Sequence, residues 1–160
     1  MRYLSPLPKA LARVLAAGTV LAALALTGAP PASAQLAVGP SQIWAYVTSG
    51  PFLVNQATKQ CLTSIGPGQP TPVQGPCPSP SAAQRFQVES QSITSQNPAT
   101  QRYCLTGTGP DKPTILQPCN GGNAQRYAYD ATANTIRNLA SGLCLTATAA
   151  NQPTVMRTCA

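Results

Sequence analysis

The sequence predicts an all-β domain, a closed ring of three units of about 40 residues with about four short strands each. Three observations predict it. The phrase Cys-Leu-Thr recurs at 61–63, 104–106 and 144–146, in steps of 43 and 40 residues. The apolar pieces are four to six residues long, rich in Val, Ile, Leu, Thr and Tyr, and bounded by Gly, Pro, Asn and Ser, and no 3.6-residue apolar period is sustained. Finally, Gln-x-aromatic follows two of the units, as Gln84-Arg85-Phe86 and Gln125-Arg126-Tyr127, but its third copy, Gln42-Ile43-Trp44, lies ahead of the first. These glutamines are 42 and 41 residues apart, so the third unit is expected to be completed by the N-terminal strand, with the two ends side by side.

Taken in order, residues 1–34 read as a secretory signal peptide. Arg2, Lys9 and Arg13 precede the 13-residue apolar run Val14 to Leu26, and Ala32-Ser33-Ala34 offers small residues for cleavage before Gln35. That run is well short of the ~20 residues a spanning helix needs. Secretion and an extracellular location are therefore expected, without membrane insertion of the mature chain. Residues 35–160 then form the domain, and each unit follows one plan. A lead-in ("FLVNQATKQ", "ITSQNPATQRY", "IRNLASGL") brings the chain to Cys-Leu-Thr. A turn-rich stretch follows, with "GPGQP" at 66–70, "GPDKP" at 109–113 and "NGGN" at 120–123 as turns in which Gly allows positive φ and Pro fixes its own. A short apolar piece ("TPVQGPC", "PTILQPC", "PTVMRTC") ends in the second cysteine. Closing such strands into a ring also removes exposed sheet edges.

Six cysteines, all after residue 35, point to disulfides in an exported chain and allow 15 connectivities. The spacings within successive pairs are 16, 15 and 15 residues, against 27 and 25 between pairs, which selects Cys61–Cys77, Cys104–Cys119 and Cys144–Cys159. Each bridge closes a loop worth about 3 kcal/mol in the chain-entropy model. The domain keeps seven basic residues and the three acids Glu89, Asp111 and Asp130, a net charge of +4 with the cations scattered singly. Nucleic-acid binding calls for a basic cluster or stripe, so that class of partner is not expected.

Cys-Leu-x, a second cysteine about 15 residues on and then Gln-x-aromatic, repeated three times, resembles the ricin B-chain-type lectin repeat. The resemblance covers Gln42 to Cys159 and implies a β-trefoil. It also implies that Trp44, Phe86 and Tyr127, with Gln42, Gln84 and Gln125 before them, belong to the structural core. Three large rings from symmetry-related places suit the centre of such a ring. The family's sugar pocket is implied to hold an aspartate straight after Cys-Leu, an aromatic platform before the second cysteine, and an Asn or Gln near Gln-x-Trp. A carboxylate accepts bonds from neighbouring hydroxyls and the ring covers the apolar face of the sugar.

The sequence departs from that pattern in every unit. The aspartate position holds Thr63, Thr106 and Thr146, no Trp, Tyr or Phe lies between paired cysteines, and Ser41, Ala83 and Ala124 precede the glutamines. A millimolar site is worth only about 4 kcal/mol, and losing a charge-assisted acceptor removes about 1.5–3 kcal/mol of it. The second unit is the least depleted, so Asp111, Gln117, Asn120 and Asn123 are the candidate carbohydrate contacts, although Asp111, Asn120 and Asn123 also suit turns. The chain has no histidine, its cysteines are assigned to bridges, and its three acids are scattered. No catalytic role, metal or cofactor is expected. The expected function is a secreted, lectin-like carbohydrate-binding module with atypical sites, whose partner is a glycan or glycoprotein. The alternative is a protein-binding trefoil, such as an inhibitor, adhesin or toxin companion subunit, that has lost sugar binding.

Overall fold

The computed structural model describes residues 39–77 and 80–160. The expected signal peptide, residues 1–34, lies outside the described residues. Among those described, no helix is long and apolar enough to cross a membrane.

Twelve strands of three or four residues form three antiparallel sheets. The first lobe holds β1 (Trp44–Val47), β2 (Phe52–Asn55), β3 (Gln60–Leu62) and β4 (Val73–Pro76). The second holds β5 (Phe86–Glu89), β6 (Ser92–Ser95), β7 (Tyr103–Thr106) and β8 (Ile115–Pro118). The third holds β9 (Tyr127–Asp130), β10 (Thr135–Asn138), β11 (Cys144–Ala147) and β12 (Thr154–Arg157). Consecutive strands pair within each lobe. The three expected disulfides are present, with Cα atoms 5.4, 5.0 and 5.0 Å apart.

The short strands cohere because each contributes an apolar residue to one core. Trp44, Phe86 and Tyr127 from the first strands, Leu53, Ile93 and Ile136 from the second, Leu62, Leu105 and Leu145 from the third, and Val73, Leu116 and Met156 from the fourth all belong to it. The ends meet as the Gln-x-aromatic phase requires. By backbone pairing β1 belongs to the first lobe, Trp44 lying opposite Asn55. Its side chains nevertheless complete the third: Trp44 Nε1 donates to the Leu145 carbonyl at 2.9 Å, and Gln42 Nε2 donates to Thr146 Oγ1 at 3.1 Å and to the Thr158 carbonyl at 2.9 Å.

The lobes join around the ring in a repeated handshake. Each lobe's hairpin loop donates a backbone N–H to the fourth strand of the next: Gly68 to Leu116 at 2.7 Å, Asp111 to Met156 at 2.9 Å, and Asn151 to Val73 at 2.9 Å. At the hub, Thr71, Thr114 and Thr154 are completely buried. Their backbones bond cyclically, Thr71 N to Thr114 O at 2.8 Å, Thr114 N to Thr154 O at 2.8 Å and Thr154 N to Thr71 O at 2.9 Å, and their hydroxyls touch one another. Thr114→Val keeps the shape but deletes one hydroxyl from this buried centre. It is expected to cost about 1–2 kcal/mol, read as a lower urea midpoint, and an unchanged midpoint would show that the hub hydroxyls are idle.

Candidate functional site

The family's pocket positions are the place to begin. Short 3-10 turns at Pro40–Gln42, Ala82–Gln84 and Asn123–Gln125 deliver each glutamine to the lobe before it. Gln125 Nε2 reaches Thr106 Oγ1 at 3.1 Å and the Pro118 carbonyl at 3.0 Å, and Gln125 Oε1 accepts from Asn120 N at 2.9 Å. Gln42 repeats this in the third lobe, where its Oε1 accepts from Ala160 N at 2.9 Å. The residue corresponding to Asn120 and Ala160 in the first lobe is Pro78, which carries no N–H.

Thr63, Thr106 and Thr146 are buried, and each hydroxyl donates to the carbonyl two residues back, on Cys61, Cys104 and Cys144, at 3.0–3.1 Å. Since Thr106 and Thr146 also accept from the glutamines, these hydroxyls are committed to holding the strand to the 3-10 turn. They leave no outward carboxylate where the family pattern has one. Across the ladder from Cys104 and Cys144 stand Gln117 and Arg157, neither of which is aromatic.

The four candidate contacts separate into two places. Asp111 sits at φ +55°, and Gly68 (+68°) and Asn151 (+59°) hold the same left-handed position in the other lobes, so the residue is chosen by the turn. Its exposed carboxylate accepts from Arg157 Nε of the third lobe at 2.6 Å. A solvated pair of this kind contributes about 0–1 kcal/mol. Asn120 and Asn123 instead gather around Gln125. Asn120 Oδ1 accepts from Gly122 N at 2.8 Å, while the Asn123 carbonyl accepts from Asn138 Nδ2 at 3.2 Å. Gln117 lies exposed on β8, next to Pro118 at that same anchor.

The other carboxylates are also engaged. Asp130 Oδ1 accepts from the backbone N–H groups of Thr132 (2.8 Å) and Ala133 (3.0 Å), and these bonds, Ala133 first, hold its pKa below the usual carboxylate value. Glu89 accepts from Gln87. No group of three or more His, Cys, Asp or Glu side chains able to hold a metal occurs among the described residues.

Two clefts open beside the second lobe. One, of about 330 Å³, lies between the Ser90–Gln91 turn, the Cys104–Cys119 bridge and Arg126. The other, of about 280 Å³, lies between Gly107–Gly109 and the third-lobe residues Asn138, Leu143 and Met156. None of the four candidate contacts lines either cleft. The first was hidden in the sequence because it joins segments about 35 residues apart, Gln91 and Arg126.

Behind the second cleft, the Tyr127 hydroxyl is buried without a hydrogen-bond partner among the described residues. Burial, the largest cause, raises its pKa well above the ordinary value. The unfolded phenol ionises near pH 10. The folded form holds its proton beyond that, so stability is fully present below about pH 10 and declines as pH rises from there toward the folded pKa. Tyr127→Phe, which places the ring of Phe86 at this position, is expected to leave neutral-pH stability unchanged or slightly higher and to flatten the alkaline decline. Urea midpoints from pH 8 to pH 11 test this, and an equally steep decline in the variant would refute it.

A three-lobed β ring with one disulfide per lobe and glutamine-anchored central aromatics defines a trefoil of the lectin type. Residues 52–160 match the ricin-type beta-trefoil lectin domain, and the chain belongs to that family, whose domain is a carbohydrate-binding fold. Gln42 and Trp44 fall outside the matched span, although their side chains close its last lobe. A comparison with curated proteins finds no match.

Proposed function

We propose that the protein is an exported carbohydrate-binding module whose glycan contacts differ from the family's usual pocket. One observation carries this reading: the lectin-type domain extends across all three lobes, and Gln125 and Gln42 clamp the pocket positions of the second and third. The basic start, apolar run and small-residue cleavage site support export, as do three bridged cysteine pairs. Around the second lobe's anchor, Gln117, Asn120 and Asn123 offer exposed amides to a polyol. The test is a glycan array probed at high protein density, followed by NMR titration of each hit. A blank array with no shift on titration would overturn the proposal.

A second reading is favoured by the burial of Thr63, Thr106 and Thr146. Pockets without a carboxylate or platform suit a trefoil whose surface meets a protein instead. Capture of a partner protein that persists in excess sugar would support that alternative, and release by sugar would remove it.

A further inference from the structure

We propose that the cleft between the Ser90–Gln91 turn and the Cys104–Cys119 bridge is an anion subsite that receives the carboxylate or sulfate of an acidic saccharide. The inference rests on the carbohydrate-binding reading above and names a substrate class for it.

The cleft lies where the second lobe departs from the other two. The first-to-second strand turn has four residues in the first and third lobes, 48–51 and 131–134, but two in the second, Ser90 and Gln91. Both residues take positive φ, 40° and 77°, as a two-residue type I′ hairpin turn demands. This tight turn brings Gln91 over the segment after the third 3-10 turn. There the Gln91 carbonyl accepts from Tyr127 N at 2.7 Å, and the Gln91 side-chain oxygen accepts from Arg126 Nε at 3.1 Å and Nη2 at 2.7 Å.

Arg126 is thus held by two bonds from a neutral amide, with its charge uncompensated. The whole sequence contains three acids. Asp111 is paired with Arg157, Asp130 caps its own turn and Glu89 accepts from Gln87, and none forms an ion pair with Arg126. The guanidinium keeps further N–H donors free, since two of its five serve Gln91. Ser92 and Thr94 also line the cleft, with the Ser92 hydroxyl donating to the Glu89 carbonyl at 3.0 Å, and its volume of about 330 Å³ admits a sugar ring. An oriented guanidinium without an acidic partner is suited to a carboxylate or sulfate oxygen, which it meets with charge-assisted bonds. The equivalents of Arg126 are Ile43 and Arg85, and those of Gln91 are Asn134 and Pro51. Neither of the other lobes can therefore build this pair.

Calorimetric titration of the protein with a uronate oligosaccharide, a sulfated oligosaccharide and the uncharged parent of each tests the proposal. At least one acidic ligand is expected to bind about tenfold or more tightly than its parent, with affinity falling as salt rises. The two acidic arms distinguish carboxylate from sulfate. Arg126→Gln is expected to abolish the preference, and amide shifts on titration should centre on Ser92, Gly121 and Arg126. Gln91→Ala, which frees the guanidinium without removing it, should weaken acidic binding by a smaller factor and so guards against a misfolded Arg126→Gln. Equal affinity for acidic and neutral ligands, or a preference that survives Arg126→Gln, would overturn the subsite while leaving carbohydrate binding intact. No binding of any saccharide would overturn both.

Discussion

Trp44→Ala is expected to destabilise the protein by about 3–5 kcal/mol, the range for deleting a large aromatic ring from a packed core. Trp44 is completely buried, and its indole N–H satisfies the Leu145 carbonyl at 2.9 Å. Truncation leaves both a cavity and an orphaned carbonyl, at the point where the first described strand closes the last lobe. Trp44→Phe supplies the residue found at the equivalent position, Phe86, and is expected to lose less than half as much because the ring remains. Since Trp44 is the sole tryptophan, unfolding should be followed by circular dichroism in urea. If Trp44→Ala unfolds at the midpoint of the parent, the closure of the ring through this segment is wrong.

The second large effect is expected at Asn138. Its side-chain nitrogen donates to the carbonyls of Asn123, Ala124 and Arg126 at 3.2, 3.3 and 3.0 Å. Its oxygen accepts from the N–H groups of Ala140 and Ser141 and from the Ser141 hydroxyl, at 3.2, 3.0 and 3.0 Å. One amide therefore ties a 3-10 turn to a loop of the third lobe, and Asn55 has the same role in the first. An unsatisfied buried group costs about 1–3 kcal/mol and such costs are not additive, so Asn138→Ala is expected to lose about 3–5 kcal/mol in total. Faster hydrogen exchange at Ala140 and Ser141 should accompany the loss. A change below about 1 kcal/mol would mean that water replaces the amide without penalty.

Much of this architecture was legible in the sequence. The cysteine spacing and the glutamine phase depend on residue types with few alternative uses, and both pointed to the disulfides and to closure through Trp44. The polar hubs were not read. Asn55 and Asn138 sit in turn-rich stretches where asparagine ordinarily faces solvent, and burial of an amide depends on backbone groups brought from elsewhere. A signal existed: they are 83 residues apart, the same interval as Gln42 and Gln125, but Ser95 breaks the series in the second lobe. Pro-Thr at 70–71, 113–114 and 153–154 likewise marked the hub, in a setting where threonine reads as ordinary strand. For the candidate site, the missing pocket residues were plain from the letters. The contact of Gln91 with Arg126 was not, because it arises from one shortened hairpin.

The handshake that passes from Gly68 to Leu116, from Asp111 to Met156 and from Asn151 to Val73 is directional, with a donor loop on one flank of every lobe and an acceptor strand on the other. Such a head-to-tail contact closes after three copies and leaves any solitary copy with both flanks bare. A peptide spanning one averaged lobe should accordingly assemble as a three-chain oligomer rather than fold as a monomer. The same logic makes the natural chain a covalently tethered trimer, in which damage to one seam strains all three.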